Sequence, residues 1–391
     1  MLTANMLPDH SLRILVIANL PPYVLGGAEN QVARLVEAWA GLGHRVEVAG
    51  HRIPDGWVDL GDARIRTHRI TVLEHLGRGG RAASYFVSLT RLLSRIHRNF
   101  DVIYSRGLGD GAISICLLKA MGRLALPLVA CPINARGAGD AHFIRSIPGW
   151  RGLVRAVNRH CDAVNIIAPA IKPDLTGIGV APPRLSEIPN GIPLAPAIVR
   201  QGVAPIRRLI WTGRLSPQKG LDALLAALAG VAASGRDFRL EIVGDGPERA
   251  SLATQCRQLG LDGRVVFLGA IGKGAIRDHL AAADVFVLPS RYEGMSNSGL
   301  EAMEAGLPLL LTHCGGIDTY VEPAMGWLCE PDDVDGLQAA LVRMLDTPDA
   351  ELLAMGRRAR ACVEREFEMG AIAGRNAVLL GEVVARRGRA E

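Results

Sequence analysis

Short apolar runs alternate with longer amphipathic ones along this chain, and the alternation stops once and then restarts. In the first half "LRILVIA", "RVEVA", "DVIYS", "LPLVAC", "DAVNIIA" and "RLSEIP" have the length and branched-residue content of strands, as do "RRLIWTG", "FRLEIVG", "RVVFLG", "DVFVLP" and "LPLLLT" in the second. Helical patterns such as "ENQVARLVEAWAGLG" and "LDALLAALAGVAASG" lie between them, the latter closed by a glycine where a helix C-terminus favours one. A chain that keeps passing from strand to helix to strand lays its strands parallel, with helices over both faces of the sheet. The interruption is "IPNGIPLAPAIVRQGVAPIRR", residues 188–208, with four prolines and few helix formers. The expectation is an α/β chain with one domain over 1–187, a linker over 188–206 and a second domain over 207–370. Residues 371–391 would form a closing helix that crosses back to the first domain. At 391 residues the chain can supply both domains with a core.

Hydrophobic residues at 49% and charged residues at 21% exclude a disordered or fibrous chain. No run approaches the roughly 18 apolar residues of a membrane span. The first apolar run follows Asp9 and His10, a poor secretion signal and a good first strand. Seven cysteines fall without a CxxC pair or a Cys/His cluster, which argues against a disulfide framework or a zinc site and for a reducing, cytoplasmic setting. The net charge of +5 hides an asymmetry: 22 basic against 14 acidic residues up to position 195, and 22 against 25 beyond it. Either something anionic meets the first half, or its arginines are a solvated face.

In open α/β sheets ligands sit at the C-terminal ends of strands, where glycine turns and helix N-termini gather backbone amides. "LPPYVLGGAENQ" puts Gly26 and Gly27 after the first strand and before a helix, a phosphate approach or a plain connection. "WTGRLSPQKG" carries Arg214 and Lys219 on a loop that ends in a helix; the two cations can converge on a diphosphate or simply be solvated. "IVGDGPERA" lacks the third glycine of a dinucleotide fingerprint, since Arg249 stands there, and "IGKGA" lacks the spacing and hydroxyl of a P-loop. "RYEGMSNSGLEA" begins as a loop with Glu293 and becomes a helix, capped by Ser296 or Ser298, with Glu301 in its first turn. Helix-end electrostatics would explain Glu301 but not Glu293. Two carboxylates flanking a set of amides match the order of a nucleotide sugar: ribose hydroxyls, diphosphate, sugar hydroxyls.

Taken in chain order, "GGAE", "IPNGI", "GRLSPQKG", "GDGPE" and "EGMSNSGLEAMEAG" resemble the family-4 retaining glycosyltransferases (glycosyl transferases group 1). The resemblance covers nearly the whole chain and implies the GT-B fold, two Rossmann-like parallel-sheet domains facing each other across a donor-binding cleft. By that resemblance Arg214 and Lys219 bind the donor diphosphate, Glu301 the ribose and Glu293 the donor sugar. Gly294, Met295, Ser296 and Asn297 would cradle phosphate and sugar through their backbone. Gly27, with Gly26 beside it, would approach the phosphate from the first domain. Gly213 and Gly244 would belong to the same donor site, with the base near Gly269 to Ile271. Catalysis would rest on Glu293, Arg214 and Lys219. The donor would be a nucleoside-diphosphate sugar, with no other cofactor and no metal, because cations and a helix end would stabilise the charge on the leaving phosphate. Asp332 and Asp333 lie far from these motifs and read as a helix start.

Many members of the family place a histidine after the strand corresponding to "LPLVAC"; here Ile133 and Asn134 stand there, and "DVIYSRGLGDG" lacks the usual histidine motif too. Asn134, Arg136, Asp140 and His142 are the acceptor-side candidates. The resemblance implies a glycan, lipid-linked or small-molecule acceptor in cell-surface polysaccharide or glycoconjugate synthesis. Arg151, Arg155 and Arg159 beside Trp150, and Arg78, Arg81, Arg91, Arg95 and Arg98, suit either an anionic membrane at the inner face or water. Nucleic acid is excluded as a partner by the lack of aromatic interleaving and of a recognition motif. A catalytically silent nucleotide-sugar-binding protein, or an epimerase of related fold, are the alternatives.

Overall fold

The computed structural model describes residues 11–200, 202–203 and 205–388. They fall into two compact units, Met1–Pro193 with Met369–Glu391, and Leu194–Glu368. The division between Pro193 and Leu194 lies inside the proline-rich stretch.

The first unit is built on β1 (Arg13–Ile17), β2 (Arg45–Gly50), β3 (Gly56–Leu60), β4 (Ala63–Arg69), β5 (Val102–Arg106), β6 (Leu128–Cys131), β7 (Ala163–Ile166) and β8 (Leu185–Glu187). They form one sheet in the order β3-β4-β2-β1-β5-β6-β7-β8. Ile14, Leu15 and Val16 are fully buried at its centre, as fits a strand covered on both faces. The sheet departs from the all-parallel expectation at one edge, where β3 and β4 pair antiparallel across the turn at Gly61 and Asp62. "GWVDL" and "ARIRTHR" carry no apolar run because this hairpin is solvated on one side, with Trp57 of β3 58% exposed. Helix Met369–Gly388 belongs to this unit through its packing: buried Trp39, from helix Gly27–Gly41, donates its indole N–H to the Ala373 carbonyl at 3.1 Å and stands edge-on to Tyr104.

The second unit holds β9 (Arg207–Thr212), β10 (Phe238–Val243), β11 (Val265–Gly269), β12 (Val285–Leu288), β13 (Leu309–Thr312) and β14 (Gly326–Cys329), all parallel, in the order β11-β10-β9-β12-β13-β14. β14, "GWLC", is too short and glycine-initiated to stand out in the sequence. All seven cysteines are buried and unpaired. In each sheet the strand order reverses once, beside β1 with neighbours β2 and β5, and beside β9 with neighbours β10 and β12. The loops leaving the C-terminal ends at such a reversal diverge and open a crevice, which fixes where a ligand can sit.

Candidate active site

In the second unit the loops after β9 and β12 leave that crevice together. The chain runs from β9 through Gly213, Arg214 and Leu215 into a single 3₁₀ turn, Pro217–Lys219, and then helix Leu221–Ala233. Gly220, at φ 63°, joins the two; a Cβ there would lie 2.0 Å from the Pro289 carbonyl oxygen, so only glycine lets this loop rest on the end of β12. The loops are then laced together, Arg291 N–H to the Gln218 carbonyl at 2.8 Å and the Gln218 side-chain amide to the Tyr292 carbonyl at 2.8 Å. This brings Lys219 Nζ to 2.5 Å from Glu293 Oε1, an oxygen that also accepts from Ser290 Oγ at 2.7 Å. Glu293 is only 5% exposed. An ammonium has three donors, and the carboxylate uses one.

A third loop, after β13, completes the carboxylate's setting. The Cys314 carbonyl accepts the Glu293 backbone N–H at 2.9 Å, and buried Asp318 takes the Gly316 N–H at 2.7 Å and the Cys314 thiol at 3.2 Å. Burial, then the charges of Asp318 and Glu293, push the Cys314 thiol well above its ordinary pKa, so it stays a donor. Ser290, Gln218, Cys314 and Asp318 were not singled out in the sequence. Their only signal is a place in the loops that follow strands: Gln218 and Cys314 act through contacts that distant segments create, Ser290 and Asp318 through short-range ones inside a loop.

Behind this, the loops after β9, β10 and β11 are stacked. Gly244 sits at φ 131°, and a Cβ on it would fall 1.8 Å from the Gly213 carbonyl oxygen. Leu215 N–H bonds to the Asp245 carbonyl at 2.9 Å, and Gly244 N–H to that of Gly269 at 2.7 Å. The "GDG" glycines thus serve close backbone packing under the Arg214 loop. Ile271 is half-buried just beyond Gly269. Arg214 is exposed and makes no ion pair among the described residues.

Helix Asn297–Glu304 starts at Ser296, whose hydroxyl accepts from Gly299 N–H at 3.2 Å. Glu301 is its fifth residue, one beyond the expected first turn, and half-buried. Gly294, Met295, Ser296 and Asn297 thus form the approach to a capped N-terminus, where amides and the helix dipole favour an anion. Asp333 caps helix Val334–Asp346 as expected, but Asp332 is not remote from the motif: its carboxylate takes Arg291 Nε at 2.8 Å.

In the first unit Gly26 caps helix Gly27–Gly41. Ala28 and Glu29 of that helix line a cavity of about 220 Å³ at the β1 reversal, with Asn19, His51, Tyr85 and Asp110. The four acceptor-side candidates are not gathered there. Asp140 spends both carboxylate oxygens on backbone amides, Leu108 N–H at 2.6 Å and Ile133 N–H at 2.8 Å, clamping the loops after β5 and β6. Arg136, at φ 56°, gives its N–H to Asp174. Arg136 and exposed His142 line a separate open depression with Arg145 and Asp174, and half-buried Asn134 lines neither hollow.

Comparison with known proteins agrees with this architecture. Residues 206–347 match the family described as glycosyl transferases group 1, and residues 26–191 match the glycosyl transferase 4-like domain. A glycogen synthase of Mycobacterium tuberculosis is 32% identical over 389 residues, covering 90% of each chain. A GDP-mannose-dependent monoacylated alpha-(1-6)-phosphatidylinositol monomannoside mannosyltransferase of Corynebacterium glutamicum is 31% identical over 274 residues, 62% of this chain and 71% of that one. Among solved structures, a sucrose-phosphate synthase from Thermosynechococcus elongatus superposes with a TM-score of 0.80 at 21% identity, over 96% of this chain and 100% of that one. Anabaena HepE in complex with UDP and glucose gives 0.75 at 21% identity, over 94% and 99%. At such identity these two structures speak for the GT-B fold alone. Family matches, relatives and fold together make the chain a member of the group 1, family 4 glycosyltransferases.

Proposed function

We propose that this glycosyltransferase moves a sugar from a nucleoside-diphosphate donor to a glycan or lipid-linked acceptor with retention of anomeric configuration and without a divalent metal. The observation that carries the donor assignment is the Lys219–Glu293 pair at the β9/β12 reversal, set beside the Ser296-capped helix. In this reading Lys219 and Arg214 neutralise the diphosphate and the loop from Gly294 to Asn297 offers it amides. Glu293 accepts from hydroxyls of the transferred sugar and Glu301 from the ribose, while the base lies near Ile271.

The bond from the anomeric carbon to the diphosphate oxygen breaks as the acceptor oxygen bonds to the same face, and the acceptor's proton passes to the departing phosphate oxygen. Negative charge grows on that phosphate, and fixed cations at its position lower the barrier because they need no reorganisation. The Corynebacterium glutamicum relative, named for GDP-mannose and a phosphatidylinositol mannoside, supports a nucleotide donor and admits a lipid-linked acceptor. The test is turnover of UDP- and GDP-sugars in EDTA with the product anomer read by proton NMR. A retained anomer and undiminished turnover are expected; an inverted anomer, or loss of activity in EDTA, overturns the mechanism.

A further inference from the structure

The 220 Å³ cavity of the first unit shares His51 as a wall with a second hollow of about 450 Å³, lined by Tyr23, Arg52, Arg69, Val72 and Glu74 among others. The two differ in chemistry. The first is ringed by Asn19, Glu29, His51, Tyr85, Arg106 and Asp110, one cation against two carboxylates among neutral donors and acceptors, a set suited to sugar hydroxyls. Burial, then neighbouring Arg52, push the His51 imidazole below its ordinary pKa, so at neutral pH it offers one donor and one acceptor. Asn19 holds this corner, accepting the Arg52 N–H at 2.9 Å.

The second hollow is cationic. Glu74 is shared by Arg81 at 3.1 Å and Arg52 at 3.8 Å, so one carboxylate meets two guanidinium groups. Arg69, exposed at the end of β4, makes no ion pair among the described residues. Tyr23, 48% exposed, presents a ring on which the apolar face of a sugar can rest. Arg52 and Arg69 thus meet at a hollow that shares its His51 wall with the first.

We propose that the two hollows take consecutive units of one acceptor: a neutral hydroxylated unit beside His51 and Asp110, and an anionic unit, carboxylate or phosphate, against Arg52, Arg69 and Tyr23. The inference rests on the glycosyltransferase reading and deepens its acceptor half. Carboxylate and phosphate share the chemistry that guanidinium recognises, and a test must separate them.

Binding of the full-length protein to immobilised oligosaccharides in matched sets does so, each set comprising a neutral form, the form with a uronate as second unit and the form with a phosphate there. The anionic forms are expected to bind about tenfold or more tightly than the neutral ones, the size of one lost charge-assisted contact. Whichever anion is preferred names the source. Arg52→Gln/Arg69→Gln should erase that preference while leaving the neutral forms' affinity alone, and Tyr23→Ala should weaken all three. Equal binding of neutral and anionic forms, no binding to any, or a preference that survives in the arginine variant overturns the proposal. Nucleoside-diphosphate affinity and donor turnover on the same samples keep the two readings apart. If both are present and the array result is neutral, the anionic acceptor alone is wrong; if both are absent, the donor reading is wrong.

Discussion

At the residue scale, Lys219 and Glu293 hold each other, and this changes what their substitution means. The family resemblance assigns one to the diphosphate and the other to the sugar, as separate roles. Their 2.5 Å contact couples them. Lys219→Met leaves Glu293 buried with Ser290 as its one side-chain hydrogen-bond partner among the described residues and should cost about 2–4 kcal/mol in urea unfolding, since removing one member of a buried pair strands the other. The double variant with Glu293→Gln should recover roughly 1 kcal/mol or more, the sign of direct coupling. Glu293→Gln should also alter diphosphate affinity, by freeing Lys219. Asp140 separates a clamp from an acceptor-side role. Asp140→Ala leaves two backbone N–H groups unsatisfied and should destabilise by about 2–3 kcal/mol; an unmoved melting temperature with reduced kcat would show that it serves the acceptor instead. Glu293 and Lys219 were legible in the sequence because each carries charge on a loop after a strand. Ser290 and Asp318 were not, since their bonds, Ser290 to Glu293 and Asp318 to Cys314 and Gly316, are short-range loop contacts that leave no residue pattern of their own.

At the scale of elements, glycine decides how closely the site's loops approach. Gly220→Ala meets both an unfavourable φ and the Pro289 carbonyl, whereas Gly235→Ala, at φ 79°, meets nothing within 4 Å. The second substitution should cost about 1 kcal/mol from backbone strain alone. The first should cost clearly more in thermal melts and should lower diphosphate affinity, because Lys219 is the preceding residue. Equal effects of the two would show that the β9 loop does not depend on that contact. Buried strands such as β9 and β12 announce themselves as apolar runs. The β3–β4 hairpin does not, because a half-solvated edge mixes Arg64, Arg66 and Arg69 into its pattern, and β14 is too short to carry one.

For the whole molecule, the alternation of strand and helix and the proline-rich pause were enough to anticipate two α/β units. What the pattern could not give was the strand order, which depends on pairing between segments far apart in sequence and which sets the two crevices. The last helix has a structural duty in the first unit, burying Ile372, Ala373, Ala377 and Leu380 and receiving the Trp39 N–H. Deleting residues 369–391 should therefore abolish cooperative unfolding of the first unit in calorimetry while the second keeps its transition. Among the described residues no helix is long and apolar enough to cross a membrane. Helix Trp150–His160 nonetheless exposes Arg151, Arg155 and Arg159 while burying Val154 and Val157. If that face meets an anionic surface, flotation with phosphatidylglycerol vesicles should be lost in Arg151→Gln/Arg155→Gln/Arg159→Gln and in high salt, and flotation unchanged by either would assign the face to water.

The donor site is tested most directly by calorimetric titration of the full chain with UDP and GDP, comparing wild type with Lys219→Ala and Arg214→Ala. At least one nucleotide should bind, and each substitution should weaken it about tenfold or more, the worth of a charge-assisted hydrogen bond. Affinity unchanged in both variants would contradict the placement of the diphosphate at the β9/β12 reversal.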